Sequence, residues 1–439
     1  MSESRVVDLP AFIDAQPVGA PQLRLLLTCA AVLFADGFDT QAIGYVAPAI
    51  AREWGLARGA LGPVFSASLV GLMLGALVFG PLADRVGRKR IIVVSTAVFG
   101  LGTLATLLAR DVDGLLAIRF LTGLGLGGAM PNAVAVTAEF SPHRRRATMV
   151  MTMFCGFSIG AAMGGLIAAV LIPAFGWRSV FLVGGVAPLL LAPVLAAVLP
   201  ESVRFLVLSG RADGTIAGIV RRMFPGVSLA PGVRFTAHEA VRPGLPVAQL
   251  FEERRGGVTG LFWVVFFMSL LDLYFLSNWL PTVLNEIGAS ESTSAWVGAL
   301  LQVGGVVGVV TLGRVIDRFS YRALALTYGA AAVAIVGIGL SGRSMALAAV
   351  AIFAAGFCIV GGQTAANALT ATFYPTSMRA TGVGWALGIG RVGSIVGPLV
   401  GGELLARHWG WEPLFMVAAI PALVAMVACL GLVRAGRSR

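Results

Sequence analysis

Apolar stretches of about twenty residues recur along the whole chain, separated by short polar or charged breaks. Twelve can be delimited, at about 24–50, 59–82, 91–108, 113–138, 147–172, 178–199, 258–284, 294–315, 323–340, 345–373, 381–405 and 412–433. Each is long enough to cross the hydrocarbon core of a bilayer as a helix. Helix is also the form that satisfies the backbone where there is no water. The pattern predicts an all-α integral membrane protein. One longer polar stretch, 201–257, carries Arg221-Arg222 and Glu252-Glu253-Arg254-Arg255 and splits the helices six and six. The expected organisation is a tail over 1–22, a six-helix bundle over 23–200, a loop over 201–257, a second bundle over 258–433 and a tail over 434–439.

The halves repeat at a nearly constant offset of 233 residues. Gly80, Asp84 and Arg85 map to Gly313, Asp317 and Arg318. Pro142, Arg146 and Thr148 map to Pro375, Arg379 and Thr381. Gly123, Gly128, Gly160 and Gly164 map to Gly356, Gly361, Gly393 and Gly397, and Asp39 maps to Asp272. Six is an even number, so both repeats have the same topology. Such repeats place a substrate site near the bilayer midplane between them, and rocking one against the other gives alternating access.

Charge supports this reading. The chain is 57% hydrophobic and only 12% charged, against about 25% charged in soluble domains. With the tails and every even-to-odd connection on one side, that side carries 24 Lys and Arg and the other six. This is the positive-inside asymmetry, which puts both termini in the cytoplasm. The net charge of +11 therefore sets orientation and implies no nucleic acid partner. The polar leader Met1–Pro21 and the charged centre of the first stretch do not fit a cleavable signal peptide. Cys29, Cys155, Cys358 and Cys429 all fall within apolar stretches, with no metal spacing.

Four charges break the apolar runs near their middles. Counting about 1.5 Å per residue from each helix end, Asp36, Asp39, Asp272 and Arg391 fall near mid-bilayer, and Arg119 nearer one face. Ionisable groups at that depth are costly and mark functional pathways. Asp36 and Asp39 share a helix face. An unpaired buried carboxylate favours its neutral form, and a nearby Arg restores the charge. The expectation is that Asp39 is the main proton carrier and Asp36 shares or tunes it. Asp272 is either a second titratable group or a partner for Arg391. Arg119 reads as coupling-related. Arg391 sits among Gly388, Gly390, Gly393 and Gly397, which leave room beside a guanidinium able to grip a carboxylate with two hydrogen bonds.

The loop Gly80-Pro81-Leu82-Ala83-Asp84-Arg85-Val86-Gly87-Arg88-Lys89-Arg90 resembles the signature loop of the major facilitator superfamily. Asp36-Gly37-Phe38-Asp39-Thr40, Asn278-Trp279-Leu280-Pro281-Thr282 and Arg379-Ala380-Thr381-Gly382 with Gly390-Arg391 are similar to segments of its aromatic acid:proton symporters. The resemblance covers nearly the whole chain. It implies uptake of aromatic carboxylates such as hydroxybenzoates across the bacterial inner membrane. The proton motive force would drive it, with no cofactor, and a monomer would suffice. Expected gating residues are Gly80, Asp84, Arg85, Gly87, Arg88, Glu139, Arg146, Asp317, Arg318 and Arg379. Asp84 is expected to meet the N-terminal end of helix eleven, near Ala380, and hold the cytoplasmic side shut. Aromatic-ring contacts are sought among Tyr45, Phe154, Phe157, Tyr274, Phe275, Asn278, Trp279, Gln302, Gln363 and Asn367. Asp272 is not a position associated with that family.

Other readings compete. The same fold carries non-aromatic organic acids such as muconate, sugars and exported drugs. The pairing of Arg391 with mid-membrane Asp favours organic anions. A chemoreceptor lacks its signalling domain here. An enzyme lacks a nucleophile–base set, a metal cluster or a phosphate loop, and Gly123-Leu124-Gly125-Leu126-Gly127 lies inside a helix.

Overall fold

A computed structural model describes residues 6–437 except 58, 211–212, 228, 230–232, 237–249, 253–254, 343 and 375–378. The long helices of the first half are α2 (Ala20–Trp54), α3 (Gly62–Val86), α4 (Arg88–Ala105), α5 (Val112–Glu139), α6 (His143–Phe175) and α7 (Arg178–Val198). Those of the second are α10 (Gly256–Glu286), α11 (Glu291–Leu340), α12 (Met345–Phe373), α13 (Arg379–Ala406) and α14 (Trp411–Arg437). The helix α11 is two spans, Glu291–Gly313 and Arg318–Leu340, bent at Ser320 (φ 51°, ψ −129°). Eleven spans pass on length and hydropathy alone. The twelfth is α2, preceded at a 106° bend by the short α1 (Leu9–Ala15).

Glycine seams hold each half together, and they follow the repeat. A Cβ at Gly71 or Gly75 of α3 would run into the α5 backbone at Phe120 or Leu124. One at Gly123 would strike the α3 backbone at Ser68. Their mates 233 residues on behave alike: Gly304 and Gly308 meet the α12 backbone at Phe353 and Phe357, and Gly356 meets Leu301. The seam of α6 on α2, Gly160 against Phe34, recurs as Gly393 of α13 against Phe267 of α10. In lipid, where apolar burial supplies no drive, such close approach of backbones is what associates helices.

The segments expected as a plain tail and loop form an ordered cap instead. β1 (Val6–Asp8) pairs in parallel with β2 (Arg234–Thr236). Between the two bundles lie α8 (Val203–Leu208) and α9 (Asp213–Met223). Ile216, Val220 and Met223 of α9 recur at helical spacing and are buried with Leu9 and Ile13 of α1 in one apolar cluster. Gln22 Nε2 donates to the Met223 carbonyl at 2.8 Å. The Asp14 carboxylate accepts from the His143 backbone N–H at 2.7 Å, at the start of α6.

Among the described residues the contacts between the halves concentrate toward one end. Gly59 and Gly62 lie against Gly402 and Pro398 of α13. Ser66 Oγ donates to the Ile395 carbonyl at 2.8 Å, the Phe65 and Trp279 rings pack edge-on, and Arg52 pairs with Glu291 at 2.8 Å. At the end bearing the cap, a Cβ on Gly80, Gly384 or Gly388 would meet nothing within 4 Å. The contacts named between the halves thus all lie away from the cap, which leaves the cap end the more open of the two. Replacing Gly71 with Leu should separate α3 from α5 at a cost of at least about 1–3 kcal/mol. Size-exclusion of detergent-purified protein should then show loss of the monodisperse peak; a peak of wild-type height would contradict the seam.

Candidate functional site

The first charge cluster is sealed inside the N-terminal half. Asp39 and Arg119 are both completely buried. The guanidinium donates in parallel, Nη1 to Asp39 Oδ1 at 3.0 Å and Nη2 to Oδ2 at 2.8 Å. Thr103 Oγ1 of α4 donates to Asp39 Oδ1 at 2.6 Å. Arg119 Nη2 also reaches the Asp39 carbonyl at 3.2 Å and Ser68 Oγ of α3 at 3.4 Å. The Phe181 ring of α7 lies 5.7 Å from the guanidinium carbon. Five helices converge on one bidentate ion pair, the geometry that gives charge-assisted hydrogen bonds their strength.

One turn away on α2, Asp36 is also completely buried but differently served. Its Oδ1 accepts from Thr40 Oγ1 at 3.1 Å. Its Oδ2 has no hydrogen-bond partner among the described residues. The nearest positive charge comes from the other half: the Arg391 guanidinium acts electrostatically on Asp36 and on Tyr274. Arg391 is only partly buried. Its Nη1 donates to the Tyr274 hydroxyl at 3.3 Å, and its Nη2 reaches Met130 Sδ of α5 at 3.8 Å. Among the described residues no carboxylate lies within ion-pair distance of it. An underused guanidinium and a half-satisfied carboxylate thus face each other across the two halves.

Asp272 is buried on α10, and its Oδ1 lacks a hydrogen-bond partner among the described residues. The hydrogen bonds of Arg391 go to Tyr274 and Met130, so the pairing of Asp272 with Arg391 is not made in this conformation.

The expected substrate contacts separate into two groups. Tyr45, Phe275, Asn278, Trp279 and Gln302 are committed to the closed end or to their own helices. Tyr45 OH donates to the Ala161 carbonyl at 3.2 Å, Asn278 Nδ2 to the Tyr274 carbonyl at 2.8 Å and Trp279 Nε1 to the Pro398 carbonyl at 2.9 Å. Gln302 Nε2 donates to Ser277 Oγ at 3.3 Å, and Phe275 packs on Phe415. Gln363, by contrast, has neither amide atom bonded, and Asn367 Oδ1 is likewise unpartnered among the described residues. Gln363 is the repeat mate of Met130, the residue that touches Arg391. Phe154 and Phe157 lie on α6, and the Phe157 backbone abuts Gly37 beside Asp36.

The expected gating residues fall at the cap end. Gly87 turns α3 into α4 with φ 104°, a conformation suited to glycine. Arg88 Nη1 pairs with Glu139 at 3.0 Å and Arg88 Nη2 approaches Asp84 at 3.7 Å. Glu139 accepts from Ser202 Oγ at 2.7 Å and from the Arg204 backbone N–H at 2.6 Å. Glu201 accepts from the Lys89 backbone N–H at 3.1 Å. Arg146 approaches Asp14 at 3.9 Å. The latch of Asp84 on helix eleven is not seen: Asp84 is 71% exposed in this open state, and residues 375–378 lie outside the described residues. Arg85 and Arg318 are exposed, with the Arg318 guanidinium over the Phe319 ring. The side chains of Asp317 and Arg379 lie outside the described residues.

Sequence reasoning passed over Thr103, Ser68 and Met130. A threonine, a serine or a methionine in an apolar run carries no signal of its own; only the fold shows which ones face a charge.

Two pseudo-symmetric six-helix halves, a buried ion pair and, between the halves, a guanidinium with no carboxylate partner among the described residues define a membrane carrier. The family profile described as Major Facilitator Superfamily matches residues 29–249 and 262–439. The chain is 44% identical to the 4-hydroxybenzoate transporter PcaK of Pseudomonas aeruginosa, over 97% of this chain and 95% of that protein. It is 42% identical to the gallate transporter of Pseudomonas putida over 97% of this chain and 94% of that protein. It is 38% identical to the 3-(3-hydroxy-phenyl)propionate transporter of Escherichia coli over 92% and 93% of the two. In fold it is similar to a bacterial homolog of the lysosomal transporter Spinster in an inward-facing, occupied conformation. That match has a TM-score of 0.73 at 17% identity, covering 95% of this chain and 98% of that one. It is also similar to the xylose transporter XylE of E. coli in a partially occluded inward-open conformation, with a TM-score of 0.71 at 15% identity, covering 93% and 97%. The chain belongs to the Major Facilitator Superfamily, among its aromatic acid transporters.

Breaking the buried pair by Asp39→Asn leaves an uncompensated guanidinium, at a cost of about 3–5 kcal/mol. The purified variant should melt well below wild type, and adding Arg119→Gln should restore part of the loss. Equal melting of the single variant and wild type would show that the pair does not hold the half together.

Proposed function

We propose that this protein is a proton-coupled symporter that imports an aromatic carboxylate of the hydroxybenzoate class across the bacterial inner membrane. Both termini lie in the cytoplasm, so the open end faces inward. The monomer in its lipid bilayer is the working unit, and the proton motive force supplies the energy. The observation that carries the reading is Arg391: a guanidinium beside the cleft, without a carboxylate of its own, facing Asp36 from the opposite half. The names of the relatives support an aromatic acid as its partner.

The geometry suggests how substrate and proton travel together. With the site empty, the Arg391 charge stabilises the Asp36 carboxylate across the gap. An incoming substrate carboxylate takes the two parallel donors of Arg391. Asp36 then faces a neutralised pair in a site shielded from water and takes up a proton. Substrate and proton so arrive as a set with balanced charge, which the hydrocarbon admits when the halves rock. Asp39 accepts two parallel hydrogen bonds from Arg119, which anchor α2 to α5. The main proton-carrying role therefore falls to Asp36, the reverse of the order expected from the sequence. Tyr274 positions the guanidinium. Gln363 and Asn367, with free amide atoms, supply the polar handles that a ring hydroxyl needs.

The experiment is uptake of labelled 4-hydroxybenzoate into cells expressing the protein, with and without a protonophore, with benzoate, gentisate, gallate, muconate and glucose as competitors. Uptake that collapses with the protonophore and yields only to aromatic acids supports the proposal. Competition by muconate instead would move the substrate class to non-aromatic acids. Asp36→Asn is expected to abolish protonophore-sensitive accumulation while substrate counterflow persists; retained accumulation would remove Asp36 from the proton path. Arg391→Lys keeps the charge and loses the bidentate grip. The half-saturating substrate concentration should rise about tenfold or more, and an unchanged value would exclude direct binding.

A further inference from the structure

The two halves treat their matching carboxylates in opposite ways. Asp39 of the first half is neutralised by Arg119 and capped by Thr103 and Ser68. At the repeat offset these four residues become Asp272, Ile352, Val336 and Leu301. The carboxylate is kept, and all three of its partners are replaced by hydrocarbon. Ile352 and Leu301 are buried in the second half's own core.

Asp272 nevertheless does not sit in a purely apolar wall. Ser269 occupies the same face of α10 one turn earlier, and Tyr328 comes from the second span of α11. The Tyr328 hydroxyl lies beside Ser269 and within electrostatic reach of Asp272 and Cys429. All three oxygen-bearing side chains are at least nine-tenths buried. Asp272 Oδ1 lacks a hydrogen-bond partner among the described residues, and the Tyr328 hydroxyl and Ser269 Oγ have at most each other. An unpartnered carboxylate oxygen with two under-bonded hydroxyls close by inside a bundle amounts to an unfilled coordination shell, since buried polar atoms are otherwise almost always fully paired.

The charge balance points the same way. Arg391 is the one basic residue in the middle of a span of this half, and its charge acts on Asp36 and Tyr274. Among the described residues Tyr328 of α11 is the titratable group shown to interact with Asp272, Cys429 of α14 lies on the far side of that contact as a neighbour of Tyr328, and neither is a cation. A lone negative charge at this depth is prohibitive. The missing positive charge must therefore come from solution. We propose that Asp272, with Ser269 and Tyr328, forms a second ion site, inside the C-terminal half and apart from the cleft, that takes one monovalent cation, H⁺ or Na⁺. The inference rests on the reading of this chain as an ion-coupled carrier and adds a second coupled ion to it.

The test is accumulation of labelled 4-hydroxybenzoate in phosphatidylethanolamine/phosphatidylglycerol proteoliposomes under graded H⁺ or Na⁺ gradients. The slope of log accumulation against log gradient counts the ions moved with each substrate. Asp272→Asn should lower one of the two slopes by one. At a tenfold gradient that is about a tenfold loss of accumulation. A lowered H⁺ slope identifies the ion as a proton, and a lowered Na⁺ slope as sodium. Unchanged slopes overturn the site. If the variant does not fold, Tyr328→Phe and Ser269→Ala each remove a single oxygen. The half-saturating concentration of the coupled ion should then shift about tenfold, and no shift in either overturns the site. Zero slope for both ions in the wild type would sink the coupled-carrier reading itself, a result distinct from a wild-type slope that Asp272→Asn leaves unchanged.

Discussion

A carboxylate carried into hydrocarbon has to meet a positive charge or a proton, and the architecture of this protein follows from how three carboxylates meet that demand. Asp39 does so permanently, through two parallel hydrogen bonds from Arg119 inside one rigid half. Asp36 does so conditionally, because its counter-charge, Arg391, stands on the other half and, in the proposed function, also receives the anionic substrate. Asp272 finds no cation among the described residues. The difference between a structural ion pair and a working site lies in which side of the cleft supplies the guanidinium. A partner on the same half moves with its carboxylate; a partner on the opposite half separates from it, or is captured by something else.

That distinction requires halves that move as bodies. The glycine seams provide it. Gly71 and Gly75 against α5, and Gly304 and Gly308 against α12, bring backbones so close that no side chain fits between them. Between the halves the contacts are mixed: close glycine approaches at Gly44 and Gly59, one hydrogen bond from Ser66, the pair of exposed Arg52 with half-buried Glu291, and the Phe65–Trp279 edge contact. Under the alternating access proposed above, these are the interactions that would part and re-form.

The helices, their number and the twofold repeat were legible because each rests on a local or periodic signal: an apolar run, a glycine spacing, a recurring Asp–Arg loop. Asp36, Asp39 and Arg391 were legible because charge in an apolar run is conspicuous. What the sequence did not reveal was which carboxylate owns which arginine. Asp39 and Arg119 are 80 residues apart, and three residues along a helix decide which of two carboxylates faces α5. The cap was half-legible. The spacing of Ile216, Val220 and Met223 marks an amphipathic helix, but its partner lies in the N-terminal tail some 200 residues away. The commitment of Trp279 and Asn278 to the closed end depends on conformation, which no local pattern encodes.

The central claim is that substrate and proton compete through Arg391 for the state of Asp36. It is tested most directly by adding 4-hydroxybenzoate to purified protein in weakly buffered detergent solution and following pH with an indicator dye. The account predicts that wild type takes up protons in proportion to ligand bound and that Asp36→Asn binds ligand with that uptake lost. Binding without proton uptake in wild type, or the same uptake in Asp36→Asn, would contradict it.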